Sequence, residues 1–233
     1  PGIGKTILAK LEEYQTTGTL RVLERERKNP VNLLTQVYGI GHKKAKELVE
    51  KGITTIDQLR EHEDLLNKVQ KIGLKYYEDI LKRIPREEIE IYQGELEKVF
   101  KESTPPGSSF EIVGSYRRGA KNSGDIDIII TNEDNNIGAF NDFLNALVKK
   151  KIVLELLSRG KTKSLTIAQL PGMEPRRVDL LYTDPKEYGA AILYFTGSKA
   201  FNTVMRQRAL DLGYTMNEHG LYHLVDGKKG AKV

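Results

Sequence analysis

The stretch DIDIIIT, residues 125–131, constrains this chain more than any other. Isoleucine is among the strongest strand formers, and side chains two apart on a strand share a face. Asp125 and Asp127 therefore project together from an otherwise apolar strand. A second strand-like run, RVDLLYT at 177–183, sets Asp179 among apolar neighbours in the same style. Three carboxylates on one sheet face repel one another unless a cation neutralises them. An oxygen-only set of this kind suits Mg²⁺, which binds through few carboxylates plus substrate phosphates. Two such ions stabilise both the attacking and the leaving oxygen of a phosphoryl transfer. An isolated Asp-x-Asp is usually a solvated pair on an edge strand, so the surroundings decide. Immediately upstream lie GSYRRG and SGD. Gly114 and Ser115 offer a backbone N–H and a hydroxyl, Arg118 a planar fork for phosphate oxygens, and Gly124 room for a phosphate to approach the backbone.

The 233 residues allow one or two domains. Up to about residue 103 the pattern is helical, with Thr55 as an N-cap candidate and an amphipathic helix from Arg86, broken by TPPGSS. Strand-like runs follow at 110–115, 125–131, 164–170 and 177–183, with an amphipathic helix at 137–153 between the second and third. Residues 188–214 are helical with an interruption at Thr196–Gly197, and the tail from Thr215 has the pattern of a short hairpin. The expected fold class is α+β: a helical binding module followed by a mixed domain. A weak repeat marks the helical part, where PGIGKTILAKLEEY and YGIGHKKAKELVEKG share Gly-Ile-Gly ahead of a helix. Each predicts a tight turn that leaves the next helix's first N–H groups uncovered.

Charge points to a polyanionic partner. The net charge is +5, and residues 1–85 hold 16 basic against 12 acidic side chains, so the helical part is the better candidate for nucleic acid. Cysteine is absent, which excludes disulfides and thiolate metal sites and fits a reducing compartment, nucleus or cytoplasm rather than the secretory route. No apolar run approaches the length of a membrane span. The first residue is Pro1 rather than Met, the pattern of a fragment boundary or a processed end.

GSYRRG…SGDID, RRVDLL and YFTGS…FN…MR fall in order, and together they resemble the family X DNA polymerases of the nucleotidyltransferase superfamily, in the beta and lambda group. The likeness runs from Pro1 to about Tyr222. It implies a partial lyase-like helix-hairpin-helix segment at 1–26, a DNA-binding helix-hairpin-helix subdomain at 27–84, a catalytic palm at 85–195 and a nucleotide-selection thumb at 196–233. Asp125 and Asp127 would bind both Mg²⁺ ions. Asp179 would bind the catalytic ion and serve as, or sit beside, the acceptor for the primer 3′-hydroxyl proton. Ser115, Arg118, Gly124 and Arg83 would hold phosphates, and Arg177 the primer-terminal phosphate region. Tyr194, Phe195 and Gly197 would lie beneath the sugar, Asn202 at the minor-groove edge of the incoming base, and Arg206 on the template strand. The Gly2–Gly4 and Gly39–Gly41 turns, with Lys43 and Lys44, would hold DNA phosphates without reading sequence. The backbone carbonyls of Thr35, Val37 and Ile40 would bind a monovalent cation, Na⁺ or K⁺.

The chain also departs from the family pattern. Lys10 stands where the beta member has its Schiff-base lysine, but Thr6 replaces a second lysine and the helices before the first hairpin are missing, which leaves lyase activity open. Leu181 stands where the beta member has arginine, and His219 replaces a tyrosine. The chain stops at Val233, short of the family's final thumb helices, so the thumb is expected to be incomplete. The resemblance implies a monomeric, Mg²⁺-dependent, template-dependent polymerase that adds dNTPs at gapped or primer-template DNA. A terminal transferase is the alternative among enzymes, but those members carry a long loop where this chain has only PGMEP at 171–175, and the non-templated ones have Trp at Phe195. A non-catalytic DNA-binding module is the alternative outside them, against which stands the presence of all three acids.

Overall fold

The computed structural model describes residues 3–233, and the chain divides into two compact units, Pro1–Tyr77 and Glu78–Val233. Gly2 of the first expected turn lies outside the described residues. No helix among the described residues is long and apolar enough to cross a membrane.

The first unit is helical: α1 (Lys5–Thr17), α2 (Arg21–Arg27), α3 (Pro30–Leu34), α4 (His42–Glu50), α5 (Ile56–Glu61) and α6 (Lys68–Lys75), with α7 (Tyr77–Leu81) at the division. Side-chain caps fix several starts. Asn29 accepts from Val31 N ahead of Pro30, and Thr55 accepts from Gln58 N, as the sequence predicts. Asn67 and Gln70 form a reciprocal capping box on α6. Leu34, Val37, Ile40, Ala45, Leu48, Leu59 and Leu74 make the buried core. That core lies beneath the second Gly-Ile-Gly turn, which joins α3 to α4.

Three contacts hold this turn. The Val37 carbonyl accepts Ile40 N at 3.0 Å. The Gly39 carbonyl accepts Nε2 of buried Gln70 at 3.0 Å. At Gly73, α6 packs so closely that an added Cβ would stand 2.2 Å from the Tyr38 carbonyl oxygen. The left-handed residue of the turn is Gly39, φ 88°. Gly41 is extended (φ −87°, ψ 172°) with open space where a Cβ would go. Neither backbone strain nor packing calls for glycine at this position.

The second unit starts with β1 (Ile84–Pro85) and α8 (Arg86–Ser103), then β2 (Ser108–Ile112), α9 (Gly114–Arg117), β3 (Asn122–Ser123), β4 (Ile126–Asn132) and α10 (Gly138–Lys149). It continues through β5 (Val153–Arg159), β6 (Lys163–Ala168), β7 (Arg176–Tyr182), α11 (Tyr188–Thr196), α12 (Lys199–Asp211), β8 (Tyr214–Asn217), β9 (Gly220–Val225) and β10 (Lys228–Lys232). The main sheet runs β2-β4-β7-β6-β5. Only the β4–β7 pair is parallel. Ile126, Ile128 and Ile130 of β4 enter a core with Tyr92 and Phe100 of α8 and Phe140 and Phe143 of α10. Ile129, of opposite parity, packs with Val113 and Ala191 of α11. Apolar cover on both faces explains a strand that is nearly all isoleucine.

Three elements differ from the sequence expectation. The helix expected through Val153 ends at Lys149, Lys151 turns the chain with φ 58°, and Val153–Arg159 becomes the edge strand β5. Tertiary pairing with β6 decides a run whose local pattern is ambiguous. The first expected strand stops at Ile112, because Gly114 (φ 63°) opens the short α9. The tail is a three-stranded sheet, not a single hairpin; Asp226 and Gly227, both at positive φ, turn β9 into β10.

Gly73 and Gly41 give a paired test. Gly73→Ala must displace the Tyr38 peptide, and chemical denaturation should show a loss of about 2–3 kcal/mol. Gly41→Ala should stay within about 0.5 kcal/mol of the parent, its loss as a cap offsetting its gain in chain stiffness. Equal stabilities for the two variants would refute the packing described for the turn.

Candidate active site

Parallel pairing of β4 and β7 sets Asp127 directly opposite Asp179, and residues opposite in register on the same face bring their side chains together. Asp125 stands two residues earlier, just before β4 begins. Carboxylate oxygens of Asp125, Asp127 and Asp179 all lie within 4.8 Å of one another. Asp125 is exposed, Asp127 half-buried and Asp179 buried. Burial, then the charges of Asp125 and Asp179, pushes Asp127 up to about 7, with Lys163 and Arg177 partly offsetting them. Burial likewise pushes Asp179 up to about 6, opposed mainly by Arg177, whose Nη2 donates to Asp179 Oδ1. The cluster thus lacks positive charge for its acids, and oxygen-only donors at this spacing fit a divalent cation.

The loop before β4 crowds this cluster. An added Cβ at Gly114, φ 63°, would stand 3.0 Å from Asp127 Oδ2, so only glycine brings the backbone this near. Val113 N donates to the Asp127 carbonyl at 2.8 Å, and Ser115 Oγ to Ser123 Oγ at 2.7 Å. Arg83 is anchored by Nε to Asn122 Oδ1 at 2.8 Å and by Nη2 to the Asn122 carbonyl at 3.0 Å. Its Nη1 sits 3.2 Å from where a Gly124 Cβ would be. Gly124 therefore makes room for Arg83.

The opposite wall comes from α11 and α12. The interruption expected at Thr196–Gly197 is present: α11 ends at Thr196, Gly197 has φ 67° and ψ −154°, and Ser198 caps α12 by accepting from Phe201 N. Tyr194 and Phe195 meet edge to face at 4.9 Å. The Arg206 guanidinium lies 4.9 Å from the Tyr194 ring centroid, and Asn202 Nδ2 donates to the Tyr194 carbonyl at 2.8 Å. Arg118 Nη1 donates to the Thr196 carbonyl at 2.6 Å, tying this wall to the loop.

Between the walls lies a cavity of about 720 Å³. Of the residues named from sequence, Arg83, Ser115, Arg118, Gly124, Asp125 and Asp127 line one side, and Tyr194, Phe195, Gly197, Asn202 and Arg206 the other. Asp179 and Arg177 are buried behind the lining. Lys199 and Thr203 also line it, unrecognised from sequence. The signal was available, since 199, 202, 203 and 206 recur at helical spacing on one face of α12. A smaller cavity, about 210 Å³, is lined by Ile129, Leu181 and Phe195 together with Lys163, Glu218 and His219.

The remaining sequence-named residues belong to the first unit. Lys10 is exposed on α1, a helix that buries none of its side chains. Thr35 caps the end of α3, and Val37 and Ile40 point their side chains into the core. Gly39 and Gly41 lie in the α3–α4 turn. Lys43 and Lys44 stand on the first turn of α4, with Lys44 Nζ 3.1 Å from Glu47.

Three family models match in chain order: the fingers domain of DNA polymerase lambda over residues 32–81, the DNA polymerase beta palm over 83–185 and the DNA polymerase beta thumb over 191–233. DNA polymerase lambda of Arabidopsis thaliana is 33% identical, covering 100% of this chain and 47% of the relative. DNA polymerase lambda of Rattus norvegicus is 34% identical, covering 100% of this chain and 42% of the relative. The chain thus spans less than half the length of these curated relatives. Likeness along the whole chain, through three domain types in chain order, makes it a member of the family X DNA polymerases, in the beta and lambda group.

Proposed function

We propose that this chain is a DNA-directed DNA polymerase, a nucleotidyltransferase that adds dNTPs to a primer 3′-hydroxyl, template-dependent, in gap-filling repair. The observation that carries the reading is the carboxylate cluster beneath a cavity edged with arginines, a fit for a metal-bound triphosphate. Asp125, Asp127 and Asp179 would hold two Mg²⁺ ions. Bound there, the metal supplies charge stabilisation at the oxygens between which the phosphoryl group passes. Arg83, Ser115, Arg118 and Gly124 hold the phosphates. Asp179, opposite Asp127 in the β4–β7 register, is placed to accept the primer hydroxyl proton or to sit beside its acceptor. Tyr194, Phe195 and Gly197 wall the sugar, and Asn202 and Arg206 face the base pair, where acceptors in the minor groove are nearly uniform. Arg177 belongs to the primer side. The seven-residue connection from β6 to β7 and Phe195 support templated over template-free synthesis.

In the first unit, the α3–α4 turn offers backbone N–H groups at a helix start to DNA phosphates, with Lys43 and Lys44 adding charge. The carbonyls of Thr35, Val37 and Ile40 are assigned Na⁺ or K⁺. The protein acts on gapped or primer-template DNA as a monomer, and the lack of cysteine suits a nuclear or cytoplasmic setting.

Asp179→Ala should abolish incorporation on a one-nucleotide gap at saturating dNTP and Mg²⁺ while DNA affinity changes little. Sustained extension by this variant would refute the three-carboxylate site.

Stability against pH gives an independent reading. The folded-state pKa of Asp127 lies above its unfolded value, so the folded protein holds that proton more tightly. The resulting penalty is absent at low pH, grows from about pH 4 to 7, and is complete above that window. Asp127→Asn should therefore stabilise the metal-free protein at pH 8 by on the order of 2–4 kcal/mol, and by less at pH 5. Mg²⁺ should raise the Tm of the parent much more than that of the variant. A gain independent of pH would disprove the charge repulsion.

Gly41→Val tests the DNA contact. Nothing in the fold opposes the side chain, so Tm should hold while affinity falls alike on two unrelated gapped sequences. Lys44→Ala should reduce the slope of log affinity against log salt by up to about 0.9. Parent-like affinity in a folded Gly41→Val would make the turn a structural corner only.

A further inference from the structure

Arg117 lines neither cavity and has no role above, yet it is tied to the wall that carries the sugar. Its Nε donates to Glu111 Oε1 at 2.6 Å, and its Nη1 donates to Thr196 Oγ1 at 3.2 Å. The second oxygen of Glu111 accepts Tyr188 OH at 2.8 Å. Burial and the neighbouring carboxylate push that phenol up to about 12, so it stays a donor at any working pH. Tyr188 and Thr196 are the first and last residues of α11. The pair Glu111–Arg117 thus grips that helix at both ends, from the end of β2 and the end of α9.

Thr196 is held twice, by Arg117 through its hydroxyl and by Arg118 through its carbonyl. The two grips differ in what else they must do. Arg118 lines the cavity, and its remaining N–H donors face the phosphates in the proposed reaction. Any shift of Arg118 toward phosphate loosens its hold on the wall. Arg117 has no such second task. Its ion pair, with side chains 42% and 37% exposed, adds little to global stability, so what it offers is geometry. A wall that rejects one added hydroxyl must not retreat, and here the wall is a helix end followed by a glycine at φ 67°.

We propose that Arg117 is a positioning residue which, bonded directly to Thr196 and braced with Tyr188 on Glu111, holds the Thr196–Gly197 end of α11 in place and thereby sets discrimination against the ribonucleotide 2′-hydroxyl. This rests on the polymerase reading above and deepens it.

The test compares kcat/KM for dCTP and rCTP on a one-nucleotide gap, and Kd for both on a gap whose primer ends in a dideoxynucleotide. The variants are Arg117→Gln, Tyr188→Phe, their double, Arg117→Lys, and Lys150→Ala as a control that breaks only a remote surface pair with Glu102. Arg117→Gln should keep the parent Tm and most dCTP activity, while selectivity against rCTP falls by about tenfold, the scale of one charge-assisted hydrogen bond. Tyr188→Phe should lower selectivity less, and the double variant should do no worse than Arg117→Gln because both act through one network. Arg117→Lys should recover part of the loss, and Lys150→Ala should match the parent. Unchanged selectivity in folded Arg117→Gln and Tyr188→Phe, or an equal loss on both nucleotides, would overturn the proposal. If the parent extends neither nucleotide, the polymerase reading fails, and the ratio of the two Kd values still decides whether Arg117 positions the wall.

Discussion

The parallel pairing of β4 with β7 is the constraint on which the second unit depends. It is the only parallel contact in a five-stranded sheet otherwise antiparallel, and its register sets Asp127 opposite Asp179. A slip of one residue would move every side chain of β4 to the other face, putting Asp127 among Tyr92, Phe140 and Phe143 and turning isoleucines out. The hydrophobic core therefore enforces the register, and the register assembles the acids. Packing and chemistry are set by the same alternation in one strand.

That arrangement carries an electrostatic cost. Two carboxylates raised to about 7 and about 6 are charges the fold holds against burial and mutual repulsion. The surrounding cations offset it only in part, through Arg177 and Lys163. Such a site favours whatever brings positive charge to it, so metal affinity and strain in the metal-free protein have one origin. The nearby glycines act in the same direction. Gly114 lets a backbone segment come within contact of Asp127, and Gly124 leaves space beside Arg83. Side chains there would fill the approach that the proposed reading gives to a phosphate.

Much of this was legible in the sequence because the signals are local. Alternation in DIDIII, the Thr55 cap of the first unit and the break at Thr196–Gly197 each depend on a few adjacent residues. What escaped depends on partners far along the chain. β5 is a strand because β6 lies beside it, and KIVLELLSR by itself fits a helix as well. The third strand of the tail was local after all, marked by an Asp-Gly turn that the reading passed over. In the site, the three acids and the side-chain types around them were legible, but the hydrogen bonds that tie the walls together were not. Nothing in the order of residues says that Arg118 ends on the Thr196 carbonyl, or that Gly73 rather than Gly41 is the sterically critical glycine of the first unit.

The two Gly-Ile-Gly glycines show why residue type and role must be separated. Gly39 is needed for its left-handed backbone, and its neighbourhood is closed by Gln70 and Val69. Gly41 has ordinary dihedrals and open space, so the fold alone would accept another residue there. A position that the fold does not require to be glycine, at the exposed start of a helix with lysines at 43, 44 and 46, is one that the proposed reading gives to the DNA backbone. In that reading the backbone N–H groups at the helix start meet phosphate without regard to base. The first unit would then contribute grip without sequence preference, and selectivity would have to be built in the cavity of the second.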